Sequence, residues 1–442
     1  MVVRNGRTYH QDPLVGYPLP IDLQELHRQS LMALMLIQVY GSPLLSLDEL
    51  DRPPTRILDV GCGSGFYSMM CHRYLKSRGI PASSVTHVGL DIAPVAPGPL
   101  GGSAQPDPDM NWKFVQHDLR QFPWPFENGE FDVVHIVDMA LACPTELNQQ
   151  LFDEYIRILR PGGFLEIWHV DYTIRMLRPH VPTAAPSTIG SVTGPAPTPT
   201  TPSVCPGIFA APTTTGTKAS TQDTSEDRLQ QTGSIPPMGV YDIHANTPLS
   251  APLNPFLVEY NSWVMRGCES RHLTPLPCTM TSALYLQETG LLVNTKARRV
   301  AIPLSEVRWE REGVGGIVTK DGKSYVDWRG KTKEPPSGGG AGGESSIGGV
   351  SGDASANCGS NGPGNNANKG GLTSAHLAIR RTALLTVVQQ IQNLEPMLRE
   401  VSGKNQDEWD AWVGKLTNDL LCQGGTSWGE CLETGAWLSR KL

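Results

Sequence analysis

The sequence predicts an α/β fold: a mostly parallel sheet with helices on both faces, interrupted by two long disordered insertions. Short apolar strands alternate with helical segments from Arg56 to Val170, and a glycine-rich turn joins the first of those strands to its helix. Two stretches of biased composition then break the pattern. Almost continuously apolar strands separated by helices imply a sheet covered on both faces.

The elements follow in order. Asp22 to Tyr40 is helical, with Asp22 and Glu25 at capping-box spacing, Gly41 as a stop, and an apolar stripe of Leu23, Leu26, Leu31, Leu34, Met35 and Gln38. Arg56–Val60 reads as the first buried strand and Phe66 to about Ser77 as the helix after it. Val85–Leu90, Trp112–Gln116 and Phe131–Val137 read as strands two to four. A helix over Glu146–Leu159 is stopped by Arg160-Pro161-Gly162-Gly163, and Phe164–Val170 is the fifth strand.

Residues 179–252 are dominated by Pro, Thr, Ser and Ala, with too few apolar side chains to offset the entropy of ordering. Order is expected to resume near Pro255, with a helix over Ser282–Thr289 and one or two strands over Leu291–Ile302. A hairpin over Ile317–Trp328 would turn at Asp321-Gly322. Residues 333–371, with Gly338 to Gly343 and Asn361 to Asn366, have flexible-linker chemistry. Two amphipathic helices follow, Ser374–Val401 with Leu377, Leu384, Val388, Ile391 and Leu398 on one face, and Gln406–Cys422 with Trp409, Trp412, Leu416 and Leu420. Glu433–Ser439 would be a last strand.

The net charge of -7, from 36 basic and 43 acidic side chains in 442 residues, argues against nucleic-acid binding through a general basic surface. No basic or aromatic RNA-binding stretch stands out either. Nine cysteines without a CxxC pair read as free thiols in a reducing compartment, with no metal site expected. The first twenty residues are polar and proline-broken, unlike a secretory signal, and the apolar run Leu31–Tyr40 is too short to span a bilayer. The expectation is a soluble protein of the cytoplasm or nucleus.

The chemistry concentrates at Leu58-Asp59-Val60-Gly61-Cys62-Gly63-Ser64-Gly65, between a strand and a helix. Glycines there let backbone approach a ligand at a helix N-terminus. A dinucleotide fingerprint would need a third glycine where Phe66 stands, which counts against a nicotinamide oxidoreductase. GxGxG preceded by Asp59 is the spacing that S-adenosylmethionine enzymes use. The second strand ends at Asp91-Ile92, where a carboxylate can accept from both ribose hydroxyls. The third is followed by Asp118-Leu119, an acid for the adenine amine and an apolar side chain for its ring.

From Thr55 to Val170 the chain resembles the class I S-adenosylmethionine-dependent methyltransferases, whose fold is a Rossmann-like sheet of seven mostly parallel strands. Leu58–Gly65 fits motif I, Asp91 and Asp118 the acids after strands two and three, Phe131–His135 the fourth-strand motif, and Leu159–Leu165 the turn before the fifth. Asn5–His10, Tyr17–Pro20, Glu25 and Arg28 resemble the start of a fungal branch with small-molecule methyltransferases and the velvet-complex regulator of secondary metabolism. In that branch the segment covers the cofactor, which makes Tyr9 and Arg28 implied contacts. The branch often carries Arg where this chain has Val137, which leaves Asp138 and Met139 as lining residues.

The resemblance implies one methyltransferase domain in pieces. Residues 1–178 are the N-terminal cap and cofactor-binding half, 253–332 a continuation, and 372–442 the C-terminal helices and last strand, with 179–252 and 333–371 inserted. The implied activity is methyl transfer from S-adenosylmethionine to a small molecule of secondary metabolism. The alternative is a methyltransferase-like regulator that meets protein partners through the insertions. Asp59 and the Gly61–Gly65 backbone would hold the methionine end. His135, His169 and Asp171 are the candidate bases, needed only for a hydroxyl or protonated amine acceptor. Phe122–Phe126 reads as packing under the next strand rather than as a substrate wall. Residues 256–278 and the two late helices would cap the site.

Overall fold

The computed structural model describes residues 1–11, 16–97, 105–178, 237–244, 247–312 and 372–442. Most of both insertions and the expected 317–328 hairpin therefore lie outside the described residues. The chain opens with a small antiparallel hairpin, β1 (Val2–Arg4) and β2 (Arg7–Tyr9), and enters helix α1 (Leu23–Tyr40). Asp22 caps α1 by accepting from the Glu25 amide, and Gly41 ends it at φ 85°. The Glu25 side chain does not complete a capping box; it turns inward to Arg28.

The sheet begins with β3 (Arg56–Val60), followed by α2 (Phe66–Ser77), β4 (Thr86–Asp91), β5 (Asn111–Gln116), β6 (Phe131–Val137), α3 (Asn148–Ile158) and β7 (Leu159–Leu177). After the first insertion come β8 (Tyr241–Asp242), β9 (Leu249–Ser250), α4 (Pro255–Glu269), α5 (Pro277–Gln287), β10 (Leu292–Pro303) and α6 (Arg308–Glu312). The second insertion leads to α7 (Ser374–Asn393), α8 (Glu395–Ser402), α9 (Gln406–Cys422) and β11 (Glu430–Lys441). Strand order is β5-β4-β3-β6-β7-β11-β10-β8, with β9 paired to the far end of β7. β5 to β7 are parallel; β11 enters antiparallel between β7 and β10. The seven main strands are as expected, with two two-residue strands added.

Both faces are covered. One core gathers residues of α1, α2, α4, α7, α8 and α9 against Ile57, Val133, Trp168, Val170 and Tyr172. The other gathers α3 and α5 against Leu58, Val134, Leu165 and Trp437. The chain steps outward from β3 through β4 to β5, then returns to place β6 on the other side of β3. That reversal opens a crevice at the carboxyl ends of β3 and β6, where ligands bind in open α/β sheets.

Four expectations change. The fifth strand runs on to Leu177, because its second half finds partners in β11 and β9. Residues 237–252, read from composition as inserted, contribute β8 and β9 to the sheet edge. The long helix after residue 374 divides at Leu394, ahead of Pro396. The buried face of α1 is Glu25, Arg28, Met32, Ala33, Met35, Leu36 and Val39, while Leu23 and Leu34 are exposed. By length and composition the Leu23–Glu49 stretch could cross a membrane, yet here α1 packs into the core.

Candidate functional site

The crevice is a cavity of about 160 Å³ lined by five short segments. Four follow strand ends: Asp59 to Tyr67 after β3, Asp91 to Val95 after β4, Asp118 to Arg120 after β5, and Val137 to Cys143 after β6. The fifth, from His10 to Ala33, brings the N-terminal segment and α1 over the top. Parallel strands deliver their carboxyl ends to one edge, so residues far apart in sequence converge there.

The glycine turn is the floor. Gly61, Gly63 and Gly65 all have positive φ (70°, 51° and 75°), which suits residues without a Cβ. A Cβ on Gly61 would sit 2.0 Å from the Met139 sulfur, so only glycine lets β3 and β6 loops close together. Four of the turn's amides are already used: Gly61 and Cys62 donate to the Leu90 carbonyl, Gly63 to Asp91, and Gly65 to the Cys62 carbonyl. Three of those four amides pin the loop to β4, and the fourth closes the turn on itself. Gly65 caps α2 and does not line the cavity, whereas Asp59, Gly61, Cys62 and Gly63 do.

The acids are arranged as the sequence indicates, each with its own anchor. Asp59 is buried and accepts from Ser68 Oγ at 2.6 Å; burial pushes its pKa up to about 7. Asp91 accepts the Gly63 amide on Oδ2 (2.9 Å) and the Ala93 amide on Oδ1 (2.8 Å), with Ile92 beside it on the wall. Asp118 pairs with Arg120 (2.7 Å to Nη2), and Leu119 is buried against the cavity. Carboxylates spread along one wall suit a positively charged ligand.

Above them, Arg28 is fully buried. Its Nε and Nη2 donate to Glu25 (2.9 and 2.7 Å), and its Nη1 has no partner among the described residues. Glu25 also accepts from Gln29 (3.1 Å) and Asn393 of α7, so the pair is fixed. Asp138, just past β6, has φ 52°; its Oδ1 is buried and unpartnered among the described residues. An orphaned cationic donor and an orphaned carboxylate oxygen in one cavity fit a cofactor that carries an ammonium and a carboxylate.

Several candidates fall elsewhere. Tyr9 is buried but does not line the cavity; the neighbouring His10 does, as does Tyr17. None of the three candidate bases reaches the cavity. His135 lies further back in β6, stacked on Tyr67 (centroids 4.2 Å apart), with burial driving its pKa down to about 3. His169 and Asp171 alternate with Trp168, Val170 and Tyr172 along β7 and so face away from α1, toward Trp437 and α5. Burial lowers His169 to about 4 and raises Asp171 to about 7.

Asp171 lies with Cys278 and Glu433 in a cluster of possible metal-ligand atoms. Glu433 there is already paired with Arg299 and Arg175. Trp124 and Phe126 pack on Tyr155 and Phe131, so this aromatic segment serves packing and not a substrate wall. Among the described residues the cavity lining includes none from α4, α5 or the late helices, so α1 and the N-terminal segment are the cap. Residues not foreseen on the wall include Gln29, Arg120 and Cys143. Arg120 and Cys143 follow strand ends, a signal the sequence did offer.

Residues 57–163 match a family model described as a methyltransferase domain. The chain is 30% identical over 174 residues to the secondary metabolism regulator laeA of Aspergillus niger, covering 39% of this chain and 41% of that protein. It is 27% identical over 177 residues to the secondary metabolism regulator LAE1 of Cochliobolus heterostrophus, covering 38% and 50%. It is 27% identical over 119 residues to the methyltransferase str3 of Strobilurus tenacellus, covering 27% and 36%. The chain thus spans half or less of the length of each of these relatives. With the strand-end acids, the glycine floor and the orphaned charges on one cavity, residues 57–163 match a methyltransferase domain and resemble the class I S-adenosylmethionine-dependent type found in these fungal proteins.

Proposed function

We propose that this protein transfers a methyl group from S-adenosylmethionine to a small-molecule acceptor of secondary metabolism, in the cytoplasm or nucleus. The observation that carries the reading is the cavity at the β3/β6 crevice, where Asp59, Asp91 and Asp118 share a wall with the glycine floor. The cofactor supplies a methyl group already activated on a sulfonium, so the protein's work is to orient and to exclude water. Asp91 would accept from the ribose hydroxyls. Asp118 and Leu119 would hold the adenine, and Asp59 keeps the floor in place through Ser68.

Leu26, Met32, Ala33, Phe66, Val137 and Met139 give the wall its apolar part, which favours a compact, largely apolar acceptor. The test is calorimetry with S-adenosylmethionine and S-adenosylhomocysteine, wild type against Asp91→Ala, followed by transfer of labelled methyl to fractions of a metabolite extract. Binding that collapses in the variant, with label appearing in a small-molecule fraction, supports the proposal. No binding by folded protein removes it.

A second reading follows from the relatives named as regulators of secondary metabolism. In it the domain binds cofactor and acts through protein partners held by the insertions. Tight cofactor binding with no label in any small-molecule fraction, and a partner retained by the full chain, would favour it.

A further inference from the structure

On the sheet face opposite α1, three side chains of ligand type meet in the core. Asp171 of β7, Glu433 of β11 and Cys278 at the start of α5 are all fully buried, and none lines the cofactor cavity. One carboxylate oxygen from each acid and the Cys278 Sγ lie within 4.8 Å of one another. The three stand far apart in the chain, so no local spacing marks them. β7 and β11 pair at Val170 with Thr434 and at Ile174 with Leu432, and between those pairs Asp171 to Thr173 oppose the single Glu433. α5 reaches this irregularity with its first turn, where the Cys278 amide donates to Asp171 Oδ1 at 3.0 Å.

Hydrogen bonding leaves the cluster incomplete. Asp171 Oδ2 is buried with no partner among the described residues. Arg299 donates to Glu433 Oε1, through Nε at 2.9 Å and through Nη2. Glu433 Oε2 is buried without a hydrogen bond, although Arg175 Nη1 stands 3.4 Å away. Cys278 Sγ finds only distant acceptors, the His169 carbonyl at 3.6 Å and the Glu433 carbonyl at 4.0 Å. Two carboxylate oxygens without donors are unfavourable in a dry core, where charges are paired or coordinate metals.

We propose that Asp171, Cys278 and Glu433 hold a zinc ion that clips α5 to the β7–β11 pair. A thiolate with carboxylate oxygens is a donor set that zinc accepts, at about 2.3 Å to sulfur and about 2.0–2.2 Å to oxygen, whereas calcium and magnesium keep to oxygen. Binding is an exchange: the ion enters, and the Cys278 thiol gives its proton to solvent as the zinc–sulfur bond forms. A dication in and a proton out raise the local charge by one unit, while Arg299 and Arg175 continue to offset Glu433. The ligands are sealed from solvent, so the ion is taken up as the chain folds and serves stability, apart from the methyl-transfer step.

The test uses the full chain, produced in medium where cobalt replaces zinc, and reads metal content together with the near-ultraviolet spectrum. The expected result is about one equivalent of cobalt with a thiolate-to-cobalt charge-transfer band. Cys278→Ser should abolish the band. Asp171→Asn, which keeps the shape of the side chain, should weaken cobalt binding at least tenfold. Protein carrying metal should also unfold at a higher temperature than protein made without it. Folded wild type without bound metal would overturn the proposal and leave a proton in the ion's place. Cobalt bound without a sulfur band would overturn it too, because His72, Asp107 and Asp109, the other such cluster among the described residues, contain no sulfur. So would a band that survives Cys278→Ser.

Discussion

Asp91 anchors the glycine turn through the Gly63 amide, and in the proposed function its remaining lone pairs would accept from the ribose. Asp91→Ala removes both, so the affinity for S-adenosylmethionine should drop by roughly tenfold to a hundredfold, since a hydrogen bond to a charged group contributes about 1.5–3 kcal/mol. Calorimetry reads this directly, and an affinity within twofold of wild type would place the ribose elsewhere. Asp138 adds a pH dependence. Burial, reinforced by Glu25 and opposed by Arg28 and Tyr172, sets its pKa at about 7, and Tyr17 faces it from the N-terminal segment. A cationic ligand in the cavity Asp138 lines would favour the ionised carboxylate, so binding one must expel a proton when the pH is below about 7. Affinity for S-adenosylhomocysteine should therefore weaken as pH falls below 7, by roughly tenfold per unit at the limit, and level off above it. Asp59 also sits at about 7, which makes Asp138→Asn the control: the slope should vanish with it, and a slope that survives belongs to Asp59. Asp59, Asp91 and Asp118 were legible in the sequence because each stands where a parallel strand ends. His169 and Asp171 were misread because an apolar strand does not say which residues face which layer, and Asp138 was legible only as a lining residue.

Helix α1 shows how far an element can be read from its pattern. Its limits follow from Asp22 and Gly41, yet its buried face was misplaced, because a stripe drawn through leucines leaves out a glutamate and an arginine. Those two belong inside because α7 and the cavity meet them there with Asn393 and an open space for Nη1. No local signal carries that, since Asn393 lies 368 residues from Glu25. Asp22 ties this arrangement to the hairpin: it caps α1 through the Glu25 amide (3.2 Å) and accepts from Arg7 Nε and Nη2 (2.6 and 2.9 Å). Arg7 in turn donates to Asn393 at 2.8 Å. Asp22→Ala should lower the unfolding free energy by about 1–2 kcal/mol, about 1 from the cap and the remainder from the part-exposed ion pair. Urea denaturation should show a lower midpoint with an unchanged m-value. Cofactor affinity should fall as well, because the start of α1 sets the position of Arg28; unchanged affinity would mean that α7 alone fixes that arginine.

At the scale of the whole molecule, the two insertions interrupt the chain outside the described residues that line the cofactor edge, and one side chain shows how the pieces are rejoined. Arg380 of α7 donates to the Gly239 carbonyl ahead of β8 (3.0 and 2.7 Å), to the Ser305 carbonyl after β10 (3.1 Å), and to both oxygens of Glu310 (2.6 Å each). These partners belong to the chain just after the first insertion and just before the second, and Arg380 itself stands just after the second. Arg380 and Glu310 are both almost wholly buried, and they lie 70 residues apart across the second insertion. Composition located the insertions, but it assigned residues 237–252 to the first, because a two-residue strand carries no periodicity to set against prolines and threonines. Arg380→Ala leaves Glu310 buried without its cation and the Gly239 carbonyl without two donors. Breaking a buried pair from one side costs about 3–5 kcal/mol, a large part of the stability of an ordinary domain. Thermal unfolding should therefore shift well downward, while the folded fraction binds S-adenosylhomocysteine as wild type does, because neither Arg380 nor its partners line the cavity. If affinity falls in step with stability, the junction and the cofactor site are coupled through α7 and Asn393, and the insertions are joined to the domain at the place from which they could act on it.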